Sequence, residues 1–584
     1  MSEEVAKVNV IFFKGPHCAA CHIVAPIISS IVESSRGSAT LTVVDTEEEK
    51  ELTEKYGIST IPVVLYNEKV VLSAEAAGEL IQGEISGMMG GDMGGMGGSF
   101  DMQPSDGLGG MGGFGDAAGG LGDSDPALAA LNFDTVASAG SQANMFSSAQ
   151  SGLFNHLFNE LISSSIDSNA ETVEQYQKFN MLAISQKTMT PEAIQQLTRP
   201  SLGDYVHIGV LQSIVTSILA INPRSHEYLF KVGQSMGKFG NVQFRFLRHY
   251  PRIFESPDLA SKFRDLLEGL QELYSANSLG LPLYLASKSL VEPLTKKKAR
   301  LTVYDSAFCA QMSPIGQPVC FLIAGEIAGL IETTLGEYNV SVVEKRCFGL
   351  GDPYCQFEIE LGKPMDFSFV AERPFLSKVE KERFQTSLDT ISENMYKSSL
   401  IRTILRPGIS DHVHISVLQQ ALNGLKFSDP FFSTLLYYAG LHYGRHGADV
   451  EILFRVLKER LGDDLPEDTD DIQLEFEDGL RALVDYFNDP ATILTRAQGT
   501  VDLLFEDEET ALVRIHESAI SSGLSMMGTD FIIESDEEKV TLCDYTAGFI
   551  QGRLSRILED DVQVEEVTCQ SLGSAYCEFR VVLD

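Results

Sequence analysis

Tryptophan is absent from this chain of 584 residues, and basic residues are scarce, with 44 Lys and Arg against 82 Asp and Glu. The formal net charge is therefore −38. Proteins bind nucleic acids and anionic membranes largely through basic side chains, so this charge makes the long-range interaction repulsive. We expect neither nucleic acid nor a membrane as a partner.

The sequence also lacks an export signal and a purely apolar segment of membrane-spanning length. The stretch MSEEVAKVNV has neither a basic region nor an apolar core of the signal type, which predicts a cytoplasmic protein. One charge-free segment, 205–223, contains His207, Gln212 and Asn222, which are costly in hydrocarbon, so we predict a buried or partner-facing helix. In the cytoplasm, paired cysteines indicate metal binding or redox chemistry.

Cysteine is sparse as well, yet six of the nine cysteines fall into two sets of nearly equal spacing. The sets are Cys320, Glu344, Cys347 and Cys355, and then Cys543, Glu566, Cys569 and Cys577. Each first Cys precedes an expected helix, and the other three residues fall on an expected hairpin. Three thiolates and one carboxylate suit a tetrahedral Zn²⁺, so we predict two structural zinc sites. The alternative is that these are buried apolar cysteines.

This constellation resembles the 4-vinyl reductase domain, a small-molecule-binding module that also forms the sensory part of phenol-responsive transcription activators. The resemblance implies two such domains, each with zinc held by Cys, Glu, Cys and Cys in that order. The family's Gly-Asp before the last Cys is Gly351-Asp352 in the first copy but Gly573-Ser574 in the second. The sensory members use a His and a Trp on their ligand; because the chain has no Trp, we expect an apolar ligand other than phenol.

A second repeated pattern precedes the cysteines. Arg199-Pro200 and DYVHIGVLQ recur 207 residues later as Arg406-Pro407 and DHVHISVLQ. At the cysteines the offset is 223 residues, so the second copy holds 16 more, for which we expect the acidic run 462–471 to be one location. The repeated histidines, His207 and His414, are interpreted as hydrogen-bonded core or interface residues.

Glycines also recur at this offset, and their helical spacing predicts helices that approach another backbone closely. They are Gly233, Gly237 and Gly240 in the first copy and Gly440, Gly444 and Gly447 in the second. We expect the copies to associate as an intramolecular pseudo-dimer. Its interface would consist of these helices, or of those carrying Val206 and Val210 and, in the second copy, Val413 and Val417.

Residues 1–86 have the predicted order β-α-β-α-β-β-α. Cys18 and Cys21 fall at the start of the first helix, where N–H groups stabilise a thiolate, and Pro62 begins a later strand. The segment resembles a thioredoxin, which implies an exposed Cys18, a buried Cys21 and a cis Pro62 beside them. His17 and Phe12 stand where thioredoxins have a Trp and a buried acid. A metal-chaperone pair and a redox-silent docking module remain alternatives.

These observations predict a multidomain α/β and α+β protein. The expected domains are a thioredoxin-like domain (1–86), a flexible Gly/Met-rich linker (87–125), a helical lead-in with the first 4-vinyl reductase-type domain (126–365) and the second such domain (366–584). Both repeats should have antiparallel sheets. No nucleotide cofactor is expected, because the GQSMGK stretch does not match a P-loop.

The predicted function is that of a cytoplasmic small-molecule-binding, sensing or adaptor protein with two zinc sites. Its expected partners are an apolar small molecule and a protein bearing a thiol or disulfide. The enzymatic alternative is a thiol-disulfide oxidoreductase acting through Cys18 and Cys21. A reductase partner in tetrapyrrole metabolism is less favoured, because fold analogy alone does not carry chemistry.

Overall fold

A computed structural model describes most of the chain outside the predicted linker. The described residues are 8–16, 18–33, 39–80, 153, 156–161, 178, 181–222, 224–336, 339–367, 376–401, 405–426, 431–447, 450–462, 473–489, 498–524, 541–558 and 561–583. The linker at 87–125 and nearly all of the acidic run lie outside them. Within these ranges, none of the helices combines the length and apolarity that a membrane crossing requires.

The N-terminal domain has the predicted order of elements. They are β1 (Val8–Lys14), α1 (Ala19–Glu33), β2 (Ala39–Asp45), α2 (Lys50–Lys55), β3 (Val63–Tyr66) and β4 (Lys69–Leu72), followed by helical residues 74–80. The sheet order is β2-β1-β3-β4, with β2 parallel to β1 and β3 antiparallel to it. The bond between Ile61 and Pro62 is cis.

Strand alternation gives this sheet two apolar faces with different neighbours. Ile11 and Phe13 pack on the α2 side in a small cluster. Val10 and Phe12 face α1 and belong to a core that continues into the rest of the protein. Tyr66 of β3 lies with its ring centroid 6.5 Å from that of Phe431, far along the chain. The N-terminal domain is therefore packed against the repeats.

The first repeat consists of helices followed by an antiparallel sheet. Its elements are α3 (Pro191–Gln195), β5 (Tyr205–His207), α4 (Ile208–Ile221), α5 (Ser225–Phe239), α6 (Asn241–His249), α7 (Arg252–Glu255), α8 (Leu259–Leu273), β6 (Lys288–Pro293), β7 (Lys298–Tyr304), α9 (Phe321–Leu335), β8 (Val340–Arg346) and β9 (Cys355–Leu361). The sheet order is β6-β7-β9-β8.

The second repeat has the same architecture. Its elements are α10 (Lys378–Ile401), β10 (His412–His414), α11 (Ile415–Lys426), α12 (Phe432–His446), α13 (Val450–Leu461), α14 (Phe476–Asn488), β11 (Thr500–Phe505), β12 (Thr510–His516), α15 (Asp544–Ile557), β13 (Val562–Thr568) and β14 (Cys577–Leu583). The order β11-β12-β14-β13 matches that of the first sheet. The predicted fold class and antiparallel sheets are confirmed.

The 16 extra residues of the second copy fall mostly in one place. Thr510 of β12 stands 212 residues after Lys298 of β7, so only five residues have been added before the hairpin ends. The other eleven lie between Ser521 and Cys543, so the acidic run can hold at most five of the residues that we expected there. Most of the stretch after Ser521, 525–540, lies outside the described residues.

The repeated glycines bring two helices together within each repeat. A Cβ on Gly237 of α5 would lie 2.2 Å from the carbonyl oxygen of Glu326, and one on Gly325 of α9 would lie 1.9 Å from that of Phe230. The same contact joins α12 to α15 through Gly440, Gly444, Gly548 and Gly552. The glycine faces therefore do not form the interface between repeats, which was one of our two expectations, because the facing helix belongs to the same repeat.

The repeats meet instead through the segments that begin them. Strands β5 and β10 pair antiparallel, with Val206 opposite Val413. The following helices cross over: α4 packs against α10 and α12 of the second repeat, and α11 packs against α5 of the first. His207 is buried in this region, accepting from the Gly209 N–H at 3.0 Å and contacting the Ser398 hydroxyl at 3.2 Å.

Substitution of Gly325 by Ala should unfold the first repeat more readily. Ala is the better helix former by about 1 kcal/mol, but here its methyl would meet the backbone of α5, so we expect a net loss of at least about 2 kcal/mol. The measurement is thermal or denaturant unfolding of the full chain. Gly78→Ala is the control, because a Cβ at Gly78 has open space around it. Equal stability of the two variants would contradict the contact.

Candidate metal centres and redox pair

Four buried thiols converge in the first repeat. Cys309 follows β7, Cys320 precedes α9, and Cys347 and Cys355 flank the turn between β8 and β9. The Cys309 sulfur lies 3.1 Å from that of Cys355 and 3.4 Å from that of Cys320, and the Cys320 and Cys355 sulfurs are 3.6 Å apart. All four sulfurs lie within 4.8 Å of one another.

Glu344 lies beside this cluster, with its carboxylate directed at the start of α9. Oε2 accepts hydrogen bonds from the backbone N–H groups of Val319, at 3.1 Å, and Cys320, at 2.9 Å. Oε1 is buried and has no hydrogen-bond partner among the described residues. The carboxylate thus compensates two N–H groups at the helix start that have no helical partner.

The second repeat assembles its predicted set into one cluster. Cys543, Glu566, Cys569 and Cys577 are all buried, with their ligand atoms within 4.8 Å of one another. The three sulfur separations lie between 3.6 and 3.8 Å. Zn–S bonds of about 2.3 Å in a tetrahedron place sulfurs about 3.8 Å apart, so this donor set fits zinc. Ser521 Oγ lies 3.0 Å from the Cys577 sulfur, where the first repeat has Cys309.

An irregularity in each hairpin turns the Glu and the next Cys to the same side. In a regular strand, residues three apart face opposite sides of the sheet. The β8–β9 register shifts between Glu344 and Arg346, and the β13–β14 register shifts between Glu566 and Thr568. One extra residue per strand therefore places both ligand types in the interior. The turns end alike, with glycines at φ 95° (Gly351) and 88° (Gly573).

Burial makes these donors poor anions unless a cation compensates them. It raises the pKa of Cys320 well above its usual range, and neighbouring thiols add to the effect. It also raises the pKa of Glu344 well above its usual range, and the nearby Cys347 adds to this. For Cys309, burial opposes ionisation, but hydrogen bonds from the other three thiols lower its pKa well below the usual value. One thiolate shared by protonated neighbours is thus the metal-free arrangement.

The family comparisons agree with this geometry. A thioredoxin model matches residues 2–88, and a model of the 4-vinyl reductase (4VR) domain matches residues 299–361 and 537–583, which contain both hairpins. The chain carries one thioredoxin domain and two 4VR domains. Both resemblances that the cysteine patterns indicated are confirmed. The two Cys-rich clusters lie within the 4VR domains, with Cys309 in the first matched range.

Three similar proteins are all uncharacterized proteins of Methanocaldococcus jannaschii. The identities are 32% over 71 residues, 22% over 164 residues and 40% over 67 residues. These alignments cover 12%, 28% and 11% of this chain, and 44%, 79% and 27% of the relatives. The chain thus spans less than half of the first relative and more than three quarters of the second.

A solved structure was also matched. It is a trafficking protein particle complex subunit 3 from Naegleria fowleri, covalently bound to palmitic acid. The match has 16% identity and a TM-score of 0.18, and it covers 26% of this chain and 80% of the other. At this level of similarity, the match carries no argument about the 4VR domains.

Cys309 is the cluster member that sequence reasoning missed. It lies 11 residues before Cys320, and the second 4VR domain has no cysteine at the matching place, so the repeated spacing did not include it. A signal was present in SAFC and SAIS, which align Cys309 with Ser521 at the hairpin offset of 212 residues. The predicted ligand role of Glu344 stays a prediction, because its Oε2 is already engaged by two N–H groups.

Cys18 and Cys21 form the second candidate site, at the start of α1. They are joined by a disulfide, with Cα atoms 5.2 Å apart. Cys18 is half-buried, whereas Cys21 is 3% exposed. Phe12, which stands where thioredoxins have a buried acid, is itself buried in the apolar core. The difference in exposure suits Cys18 for attack by external thiols, while Cys21 is shielded.

Each 4VR domain is also held by a buried arginine of the other repeat. Arg406, at the start of the second repeat, donates to the carbonyl oxygens of Tyr284 at 2.9 Å and Asp305 at 3.3 Å in the first. Arg199, at the start of the first repeat, donates from Nε to the carbonyl oxygen of Glu517 at 2.7 Å in the second. We call these contacts the arginine clasps. Burial lowers the pKa of both guanidinium groups to about 10, so both remain charged at neutral pH.

The clasps support the loops that carry Cys309 and Ser521. Asp305 and Glu517 occupy the left-handed region, with φ of 53° and 55°, immediately before those loops. The Glu517 carboxylate also accepts from the backbone N–H groups of Ser201 and Leu202. A strained non-glycine conformation persists only when neighbouring contacts hold it, and here those contacts come from the other repeat.

Arg406→Leu should loosen the first 4VR domain, and Arg199→Leu the second. The loss of charged hydrogen bonds to buried carbonyls should cost about 2 kcal/mol at the loop each clasp supports. Hydrogen exchange read on peptides covering 300–325 and 510–524 would separate the two effects. Arg252→Leu is the control, because Arg252 is an exposed residue paired with Glu268. If each variant loosened only the loop of its own repeat, the crossed support would be refuted.

After reduction, Cys18 should react with iodoacetamide faster than Cys21 at neutral pH. The reason is the exposure of Cys18 and its place before α1, where unpaired N–H groups stabilise a thiolate. Mass mapping of partly alkylated protein measures this directly. Cys21→Ser should leave a reactive Cys18, whereas Cys18→Ser should leave a slow Cys21. Equal slow labelling would favour a redox-silent docking domain.

Proposed function

We propose that this chain is a cytoplasmic binding and sensing protein in which two 4VR domains, each built around a structural zinc ion, work as one unit beside a thioredoxin module. The observation that carries the proposal is the pair of closed, buried donor clusters whose neighbouring loops are clasped by the opposite repeat. An event in one 4VR domain that moves its loop would act on the arginine of the other. Such reciprocal coupling suits an adaptor or a sensor.

The donor chemistry supports a structural role for the metal. Each cluster offers four protein ligands and is buried on all members, so neither keeps an open position for substrate. Thiolates with a carboxylate favour zinc over harder cations such as Mg²⁺ or Ca²⁺. In the second repeat, Cys543, Glu566, Cys569 and Cys577 would hold the ion, tying the start of α15 to the β13–β14 hairpin.

Buried polar groups on the crossing helices support a small-molecule ligand. Thr216 and Ser217 of α4 and Asn423 of α11 are buried, and their side-chain polar atoms have no hydrogen-bond partner among the described residues. Such groups are costly inside apolar surroundings unless something satisfies them. A mostly apolar molecule with a single polar group would satisfy them at either helix, as would ordered water.

The thioredoxin domain gives a second candidate function, thiol-disulfide exchange. The Cys18–Cys21 disulfide favours it, as does the half-exposed position of Cys18. Because the domain packs on the repeats through Tyr66 and Phe431, we propose that its partner is a thiol-bearing protein brought to the 4VR unit. Seven other cysteines are free and buried, which suits the reducing cytoplasm.

Native mass spectrometry of the purified full chain tests the main proposal. We expect about two zinc ions per chain and a retained apolar molecule, because closed thiolate sites release metal slowly and an occupied cavity protects its ligand. Removing the zinc with a chelator should lower the unfolding temperature. Cys569→Ser should lose one zinc ion and destabilise the second 4VR domain only.

The double variant Cys18→Ser with Cys21→Ser is the matched control. It should keep both zinc ions, since the N-terminal pair is distant in sequence from both clusters and already closed by its disulfide. Full thermal stability with less than one zinc ion per chain would reject the metal centres. Zinc without any retained or added small-molecule ligand would leave a structural adaptor in place of a sensor.

A further inference from the structure

We infer that the two metal centres have different ligand sets: four thiolates in the first 4VR domain and three thiolates with a carboxylate in the second. This inference rests on the proposed zinc centres and names their ligands. In the first domain, Cys309 takes the fourth position and Glu344 stays outside it. In the second, Ser521 occupies the place of Cys309, and Glu566 is the fourth ligand.

The first step of the argument is the count of donors. The first centre has five buried candidates, namely its four thiols and Glu344, whereas tetrahedral zinc takes four. Five anions around one dication would also leave more uncompensated buried charge than four. One candidate must therefore remain outside the coordination sphere.

Geometry selects Cys309 over Glu344. The Cys309 sulfur is within 3.4 Å of the sulfurs of Cys320 and Cys355, so it already belongs to the thiol cluster. Glu344 instead accepts two backbone N–H bonds at the start of α9, a role that fixes the Cys320 backbone and would persist with metal bound. Glu344 is thus a positioning residue for Cys320.

The second domain shows what happens when the extra thiol is missing. Ser521 lies against the Cys577 sulfur at 3.0 Å, and its hydroxyl also donates to the Gln570 side chain at 3.3 Å. A neutral serine hydroxyl is a much weaker zinc ligand than a thiolate, so the carboxylate of Glu566 must complete the set. The all-thiolate first centre should consequently prefer softer metals than the second.

The test is ¹¹³Cd NMR of the full chain after zinc has been replaced by cadmium, whose resonance moves downfield with each sulfur ligand. We expect two resonances, one of the four-sulfur type and one of the three-sulfur, one-oxygen type. Cys309→Ser should shift only the downfield resonance upfield, and Ser521→Cys should shift only the other downfield. Glu344→Gln should leave both in their classes, whereas Glu566→Gln should shift or remove the second.

Two outcomes would overturn the inference in distinguishable ways. Two resonances of the three-sulfur type in the unmodified protein, with the first moved by Glu344→Gln and not by Cys309→Ser, would show that the ligand sets are equal while the metal centres stand. If no cadmium or zinc is retained, both the ligand assignment and the proposed centres fail. Because the unmodified protein alone distinguishes these results, a variant that does not fold leaves the test intact.

Discussion

The burial of several thiols and a carboxylate at one point of each repeat is the constraint on which the 4VR domains depend. A buried anion without a partner is so costly that these groups stay protonated or face a cation. Three separate segments, a loop, a helix start and a bulged hairpin, meet at that point. Whatever compensates the donors therefore also fixes how the last helix of each repeat sits on its sheet.

The close contact between helices supplies the second layer of this organisation. Glycines on α5 and α9, and on α12 and α15, allow backbone to meet backbone, which sets the position of the helix that begins beside Cys320 or Cys543. The segments that precede these pairs cross between repeats and end in the arginine clasps. Packing within a repeat and exchange between repeats thus converge on the same loops.

Sequence reasoning recovered those features whose causes are local. The order of strands and helices around Cys18, the hairpin of the second cysteine set and the repeated helices follow from alternation, spacing and turn residues close together in the chain. The partner of a glycine face and the membership of Cys309 depend on loops and helices far apart in sequence. Spacing cannot specify those, because a helix face carries no record of which of several apolar surfaces it will cover.

Joining the two 4VR domains on one chain has a consequence for how they can evolve. In a dimer of identical subunits, a change at the loop after β7 would appear at both centres at once. Here Cys309 and Ser521 differ although they occupy equivalent places under one pseudo-twofold axis. The fused pair can therefore behave as a heterodimer, with each half free to specialise while the crossed segments keep the halves at a fixed one-to-one ratio.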